Sequence, residues 1–67
     1  MTRPAEVRIV DRPGVFVADH AEVDGDWLHV AGRWRTCGGP NNERFSYSER
    51  REYTFPHRTV RAIRWTA

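Results

Sequence analysis

The sequence feature that most constrains the fold is the pair Asp24-Gly25, which separates two runs of alternating polar and apolar residues. A two-residue type I′ turn requires positive φ at both central positions, and Asp-Gly adopts that conformation readily. The pattern therefore predicts a β-hairpin made of residues 15–23 and 27–36, with a bulge near Asp19. It indicates a fold class and does not identify a function.

The position of the turn also predicts which side chains share a face of the hairpin, because residues directly opposite each other lie on the same side of a sheet. The predicted core face consists of Val15, Val17, Ala21, Val23, Leu28, Val30, Gly32 and Trp34. The other face is amphipathic and consists of Phe16, Ala18, His20, Glu22, Trp27, His29, Ala31, Arg33 and Arg35. We expect any function of this hairpin to lie on the amphipathic face.

The rest of the chain is predicted to consist of strands and turns, because no segment has the periodicity of a helix. Further strands are expected at 7–9, 45–48, 53–55 and 60–65. Residues 12–15, Arg-Pro-Gly-Val, are typical of a type II turn, since proline is second and glycine third. We expect a loose terminus over residues 1–5 and the longest loop over residues 37–42. Residues 49–52 fit either a tight turn or the middle of a strand.

These short strands predict a single all-β domain over residues 1–67, a small antiparallel five- or six-stranded barrel or strongly bent sheet. Near the C-terminus, Phe55-Pro56 followed by Val60 and Ile63 resembles the end of Src-homology barrel domains that bind proline-rich peptides. Sm-like barrels end in a similar way. The resemblance covers nine residues and implies at most one short 3₁₀ turn near Pro56. It implies no functional residue, because the adjacent tryptophan pair of that family is missing.

A chain of 67 residues has room for one modest core. The residues predicted to fill it are Val7, Ile9, Val15, Val17, Val23, Leu28, Val30, Trp34, Tyr47, Phe55, Val60 and Ile63. Cys37 is the only cysteine, so no internal disulfide is available and a reducing compartment is expected. The sequence has no run of about 20 apolar residues and no signal-peptide pattern, so we expect a cytoplasmic protein.

The sequence predicts no catalytic residues. Ser46 and Ser48 alternate with aromatic residues as ordinary strand positions, and no nucleophile elbow surrounds them. Cys37, next to Gly-Gly-Pro, is typical of an incidental loop thiol. His20 and His29 are predicted to face each other across the hairpin with Cβ atoms ~5 Å apart, close enough to share a metal ion. Two histidines do not complete a site, so we expect no enzyme, no metal and no cofactor.

Arginine supplies all eleven basic residues, and lysine is absent. This usage either serves the recognition of phosphates and carboxylates or reflects the codons of a GC-rich bacterial genome. Charge is also uneven along the chain. Residues 1–32 contain three arginines and six acidic residues, whereas residues 33–67 contain eight arginines and three acidic residues.

The predicted binding residues are Trp27, Arg33, Arg35, Arg61 and Arg64. Tryptophan and arginine dominate protein interfaces, so we expect a non-catalytic regulatory or adaptor module that binds a protein partner. The alternative is a nucleic-acid-binding barrel whose arginines contact phosphates and whose tryptophan stacks on bases. Because the formal net charge is only +2, too small for a strong electrostatic binder, we rank nucleic-acid binding second. Contact between the acidic half of one copy and the basic half of another would allow self-association, and no membrane partner is expected.

Overall fold

The computed structural model describes residues 2–37 and 44–66 and confirms the all-β fold. The strands are β1 (Arg3–Ile9), β2 (Val15–Asp24), β3 (Trp27–Cys37), β4 (Phe45–Tyr47), β5 (Arg51–Pro56) and β6 (Val60–Trp65). A 3₁₀ turn over His57–Thr59 follows Pro56 and leads into β6, as predicted. None of the described segments is a helix that could cross a membrane.

All six strands form one antiparallel sheet that is not closed. The strand order is β4-β3-β2-β1-β6, and β5 also pairs with β3. Strand β3 pairs with β5 along Trp27–Gly32 and with β4 along Arg35–Cys37. The structure therefore shows an open six-stranded sheet, in which β3 has β2 on one edge and both β4 and β5 on the other.

The N-terminus is more ordered than predicted, because β1 already begins at Arg3. Ala5 pairs with Ala18 on β2 and with Trp65 on β6, and its side chain is buried. The expected loose terminus is therefore wrong for residues 3–5, since pairing on both edges holds this segment.

The structure describes residues 49–52 in full and the predicted loop over 37–42 only at Cys37. Residues 51–52 belong to β5, whereas residues 48–50 are not in a strand. Cys37 is the last residue of β3, and the rest of the predicted loop over 37–42 lies outside the described residues.

The hairpin between β2 and β3 is present, but its turn lies one residue later than predicted. Asp24 pairs with Trp27, which leaves Gly25 and Asp26 as the two turn residues. Gly25 has a φ of +59°, and Asp26 does not have positive φ. Positive φ at the first central position alone is the pattern of a type II′ turn, which selects glycine there. Between the turn and the bulge, the pairing partner of each residue moves by two positions. Side chains alternate with a period of two, so each of them stays on its predicted face.

The predicted bulge near Asp19 is confirmed, and it changes the face assignment of the preceding residues. The register of β2 and β3 shifts between Ala18 and His20, which makes Asp19 the extra residue. Phe16 and Ala18 are consequently buried, whereas Val17 is only half-buried on the opposite face. The prediction that placed Phe16 and Ala18 outside and Val17 in the core is wrong. Without the bulge the Asp19 carboxylate would face the core, where an unpaired charge is strongly unfavourable.

The core is one cluster centred on Phe16, which is fully buried. The Phe16 ring meets Trp34, Tyr53 and Phe55 edge-on, with centroids 5.2, 5.5 and 6.4 Å away. The other buried members of the cluster are Ala5, Val7, Ile9, Ala18, Ala21, Leu28, Val30 and Phe55. Trp34, Tyr53, Val60 and Ile63 pack against it from its edge. One sheet curved around a single aromatic centre therefore accounts for the core.

Six of the twelve predicted core residues are confirmed as buried, and Trp34, Val60 and Ile63 are partly buried against the core cluster. Those that are buried as expected are Val7, Ile9, Val15, Leu28, Val30 and Phe55. Val23 is 50% exposed, because the pairing of β1 with β2 ends at Ala21 and leaves Val23 uncovered. Tyr47 is 56% exposed, because it pairs with Arg35 on the face that points away from the core. Val23 and Tyr47 therefore join Val17 as wrong core predictions.

Gly32 lies next to the bulge, at the point where β3 stops pairing with β5. A Cβ atom at this position would be 2.1 Å from the carbonyl oxygen of Val17 and 2.7 Å from the Cα of Ala18. Both neighbours are backbone atoms, which cannot move aside as a side chain can. Only glycine allows β2 and β3 to approach this closely.

Candidate functional site

The side of the sheet that points away from the core is called the outer face here. Four strands contribute one row of side chains to it: Arg64 pairs with Glu6, Glu6 with Val17, and Val17 with Arg33. Residues that are directly opposite share a face, so Arg33 and Arg64 lie at the two ends of this row. Their backbones are three strand spacings apart, about 14 Å.

A groove of about 490 Å³ runs beside this row. We call it the outer groove, and the side chains that matter here are Glu6, Val17, Asp19, Arg33, Tyr47 and Arg50. Its lining also includes Ala5, Ala18 and Gly32, small residues that pair with one another across β1, β2 and β3. The side chains of Ala5 and Ala18 are buried in the core, so this part of the groove is lined by backbone, and charged and aromatic side chains line the rest.

Two arginines at the outer groove are held by carboxylates. Arg50 donates hydrogen bonds of 3.1 Å to both carboxylate oxygens of Asp19 at the bulge. These hydrogen bonds hold the pKa of Asp19 below its ordinary value. Arg35 donates a 3.2 Å hydrogen bond to Glu6, and its guanidinium lies 5.0 Å from the ring centroid of Phe45. Both guanidinium groups are therefore already engaged within the chain.

Arg33 and Arg64 differ from these two arginines. No carboxylate within residues 2–37 and 44–66 forms an ion pair with either of them. Val17 lies half-buried between them in the row, and the Tyr47 ring is largely exposed in the groove lining. Among the described residues, the site thus offers two guanidinium groups without a carboxylate partner next to an aliphatic and an aromatic surface.

The structure separates the residues that the sequence grouped as binding residues. Arg33, Arg35 and Arg64 lie at or beside the outer groove. Arg61 is the unpaired residue of a bulge in β6, where its register with β1 shifts. It lies about 10 Å along β6 from Arg64. Trp27 is on the same face of β3 as Arg33 but about 20 Å along the strand. The outer groove and its rim therefore contain three of the five predicted binding residues.

The prediction that His20 and His29 face each other is wrong. Because the turn lies one residue later, His29 pairs with Glu22 and His20 with Ala31. The histidines are diagonal neighbours, with Cβ atoms roughly 7 to 8 Å apart. Nδ1 of His29 is instead hydrogen bonded to Thr54 Oγ1 at 3.0 Å. In the part of the chain that the structure describes, no three His, Cys, Asp or Glu side chains form a metal-binding cluster.

Sequence reasoning missed Asp19, Arg50 and Tyr47 as parts of this site. The signal for Asp19 was present, since it is the one charged residue on an otherwise apolar face of the predicted hairpin. Its partner Arg50 is 31 residues away, and local patterns do not report a contact at that separation. Tyr47 alternates like a half-buried strand residue, but β4 has only three residues and covers little surface.

Comparison with protein-family models, curated proteins and solved structures finds no match for this chain. A proposal for its function therefore depends on the geometry of the site.

Proposed function

We propose that this domain is a non-catalytic regulatory or adaptor module that binds a protein partner in the outer groove. The observation that supports the proposal most is the position of Arg33, which forms no ion pair with any carboxylate of residues 2–37 and 44–66 and lines a groove next to Val17 and Tyr47. Arginine and tyrosine are enriched among the residues that contribute most to protein interfaces. A partner would bury the aliphatic and aromatic surface and supply a carboxylate or carbonyl to Arg33.

Arg64 has a secondary role in this proposal. It lies at the far end of the cross-strand row and next to Glu6, where a bound chain would reach it at the rim. Charges at a rim contribute to the association rate more than to affinity. Arg33 and Tyr47 are therefore the proposed anchors, and Arg64 is the proposed steering residue.

A protein partner is favoured over nucleic acid because of the two ion pairs. Glu6 and Asp19 neutralise Arg35 and Arg50, so these four charged groups and Arg33 together sum to +1. Strong phosphate binding requires several arginines that can each release counterions from the nucleic acid. Nucleic acid remains the alternative, with Tyr47 as a stacking surface.

Cys37 supports a reducing compartment in this proposal. Its thiol is exposed and is not in a disulfide, and the sequence contains no second cysteine. An exposed thiol outside any disulfide suits a cytoplasmic module better than a secreted one.

The test is quantitative capture from nuclease-treated lysate of the source organism. The immobilised baits are the wild-type chain, a groove variant (Arg33→Glu with Arg64→Glu) and a control variant (Arg12→Glu with Arg61→Glu). Both variants change the formal net charge from +2 to −2, so they differ only in where the charge is lost. We expect a protein retained equally by wild type and control and reduced about tenfold or more on the groove variant. Equal capture by all three baits would refute the proposal.

A second measurement addresses the alternative. Fluorescent single-stranded DNA and RNA of about 20 nucleotides are titrated with the wild-type chain at ~50 mM salt, where electrostatic contacts are strongest. We expect no saturable binding. Binding that falls steeply with salt and is lost in the groove variant would assign the outer groove to nucleic acid.

A further inference from the structure

The tip of the β2–β3 hairpin exposes apolar and acidic side chains together. Val23 is 50% exposed and Trp27 49% exposed, although both are large hydrophobic residues. The carboxylates of Asp24 and Asp26 lie between them in the sequence, and both residues are exposed. The backbone N–H of His57 donates a 2.7 Å hydrogen bond to the Asp26 carbonyl, which fixes the tip against the 3₁₀ turn. We call residues 23–27 the acidic tip.

The acidic tip and the outer groove have complementary chemistry. On the outer face the tip presents the Asp24 carboxylate directly opposite the Trp27 indole, with Val23 exposed on the other face, and the groove presents Arg33 beside Tyr47 and Val17. We propose that the occupant of the outer groove is the acidic tip of a second copy of this chain. This inference rests on the proposed function, since it names the protein partner of the same site.

The contact must form between two molecules. Trp27 and Arg33 lie on one strand, about 20 Å apart along it, so a copy cannot place its own tip in its own groove. Each copy instead contributes a tip to one neighbour and a groove to another. Such a head-to-tail contact produces a ring if the rotation between copies closes and an open chain if it does not.

The contact is expected to be weak. A five-residue tip covers less surface than the roughly 1,200 Å² that stable complexes bury in total, which places the interface in the transient class. The attraction between exposed carboxylates and guanidinium groups is also screened by salt. The expected behaviour is reversible association in the high micromolar range that decreases as ionic strength rises.

The experiment is sedimentation velocity of the full chain between about 20 μM and 1 mM, at ~50 mM and ~500 mM NaCl. The wild-type chain should form dimers and larger species as concentration rises at low salt, and fewer at high salt. The groove variant and a tip variant, Asp24→Lys with Asp26→Lys, should each associate about tenfold or more weakly. A chain with all four reversals restores opposite charges across the contact, and should recover association to within about threefold of wild type.

Circular dichroism establishes that each variant is folded, and the control variant (Arg12→Glu with Arg61→Glu), whose residues line neither the outer groove nor the pocket beside the tip, should associate like wild type. A wild-type chain that stays monomeric at about 1 mM overturns the inference, as does a four-reversal chain that remains as weak as the two double variants. In either case the lysate capture decides separately whether the outer groove binds another protein. Loss of capture on the groove variant alone would retain the proposed function and assign the groove to a different partner.

Discussion

The bulge at Asp19 makes one test especially sharp, because it exchanges the roles of two neighbouring residues. With the bulge, Phe16 is fully buried at the centre of the core and Val17 is half-buried on the outer face. Without it, Phe16 would lie outside and Val17 would be in the core. We expect substitution of Phe16 to destabilise the domain far more than substitution of Val17.

The magnitude follows from the packing. Truncating a buried phenylalanine to alanine costs about 3 to 5 kcal/mol, and Phe16 also loses edge-on contacts with three rings. A domain of 67 residues has a total stability of roughly 3 to 10 kcal/mol, so Phe16→Ala should leave much of the chain unfolded. Phe16→Leu keeps most of the apolar volume and should cost about 1 to 2 kcal/mol. Val17→Ala should cost about 1 kcal/mol or less.

The assay is urea unfolding followed by tryptophan fluorescence, since Trp34 packs directly against Phe16. Phe16→Leu provides a measurable value if Phe16→Ala does not fold. A larger loss of stability for Val17→Ala than for Phe16→Ala would refute the bulged register, and with it the outer groove.

Three further predictions concern stability. Leu28→Ala should lower the free energy of unfolding in urea by about 2 to 5 kcal/mol, because Leu28 is fully buried. Trp27→Ala should cost much less, because half of its side chain is exposed, and the reverse order would contradict the register. Gly32→Ala should cost about 1 to 3 kcal/mol or more by the same assay, because its Cβ would overlap the Val17 carbonyl; an unchanged midpoint would contradict the close approach of β2 and β3. Asp19→Asn should lower Tm at neutral pH, because the folded-state pKa of Asp19 lies below the ordinary 3.8 and the Arg50 pair stabilises the fold above that pH. The Tm difference from wild type should shrink as pH falls below 3.8 through the lowered pKa, and a difference that does not shrink over that range would show that the carboxylate charge is not its source.

Much of the fold could be predicted from the sequence because its determinants are local. Alternation of side chains indicated β2, β3 and β6, and Pro56 indicated the 3₁₀ turn that precedes the last strand. Gly14 has the positive φ, +85°, that the predicted type II turn requires at its third position. The hydrogen-bonded turn, however, is Ile9–Arg12, in which the Arg12 N–H donates to the Ile9 carbonyl and Asp11 has a φ of +64°. The sequence also indicated where the bulge would occur, since a carboxylate at Asp19 conflicts with an apolar face.

The candidate site was less predictable because it depends on contacts between distant segments. The consequence of the bulge for Phe16 and Val17 becomes visible only when both strands are paired. Whether an arginine is free or engaged depends on partners such as Asp19 for Arg50 and Glu6 for Arg35, which lie about 30 residues apart in the chain. A composition rich in arginine therefore pointed to binding without indicating which arginines are available.

The most direct test of the outer groove as a protein-binding site is photocrosslinking in living cells. Tyr47→p-benzoylphenylalanine places the reactive group in the groove lining, and Arg61→p-benzoylphenylalanine places it on exposed β6 outside the groove. The account predicts a nuclease-resistant crosslinked protein at position 47 that is absent at position 61 and is lost when Arg33→Glu is added. Equal crosslinking at both positions, or a product at position 47 that nuclease removes, would contradict it.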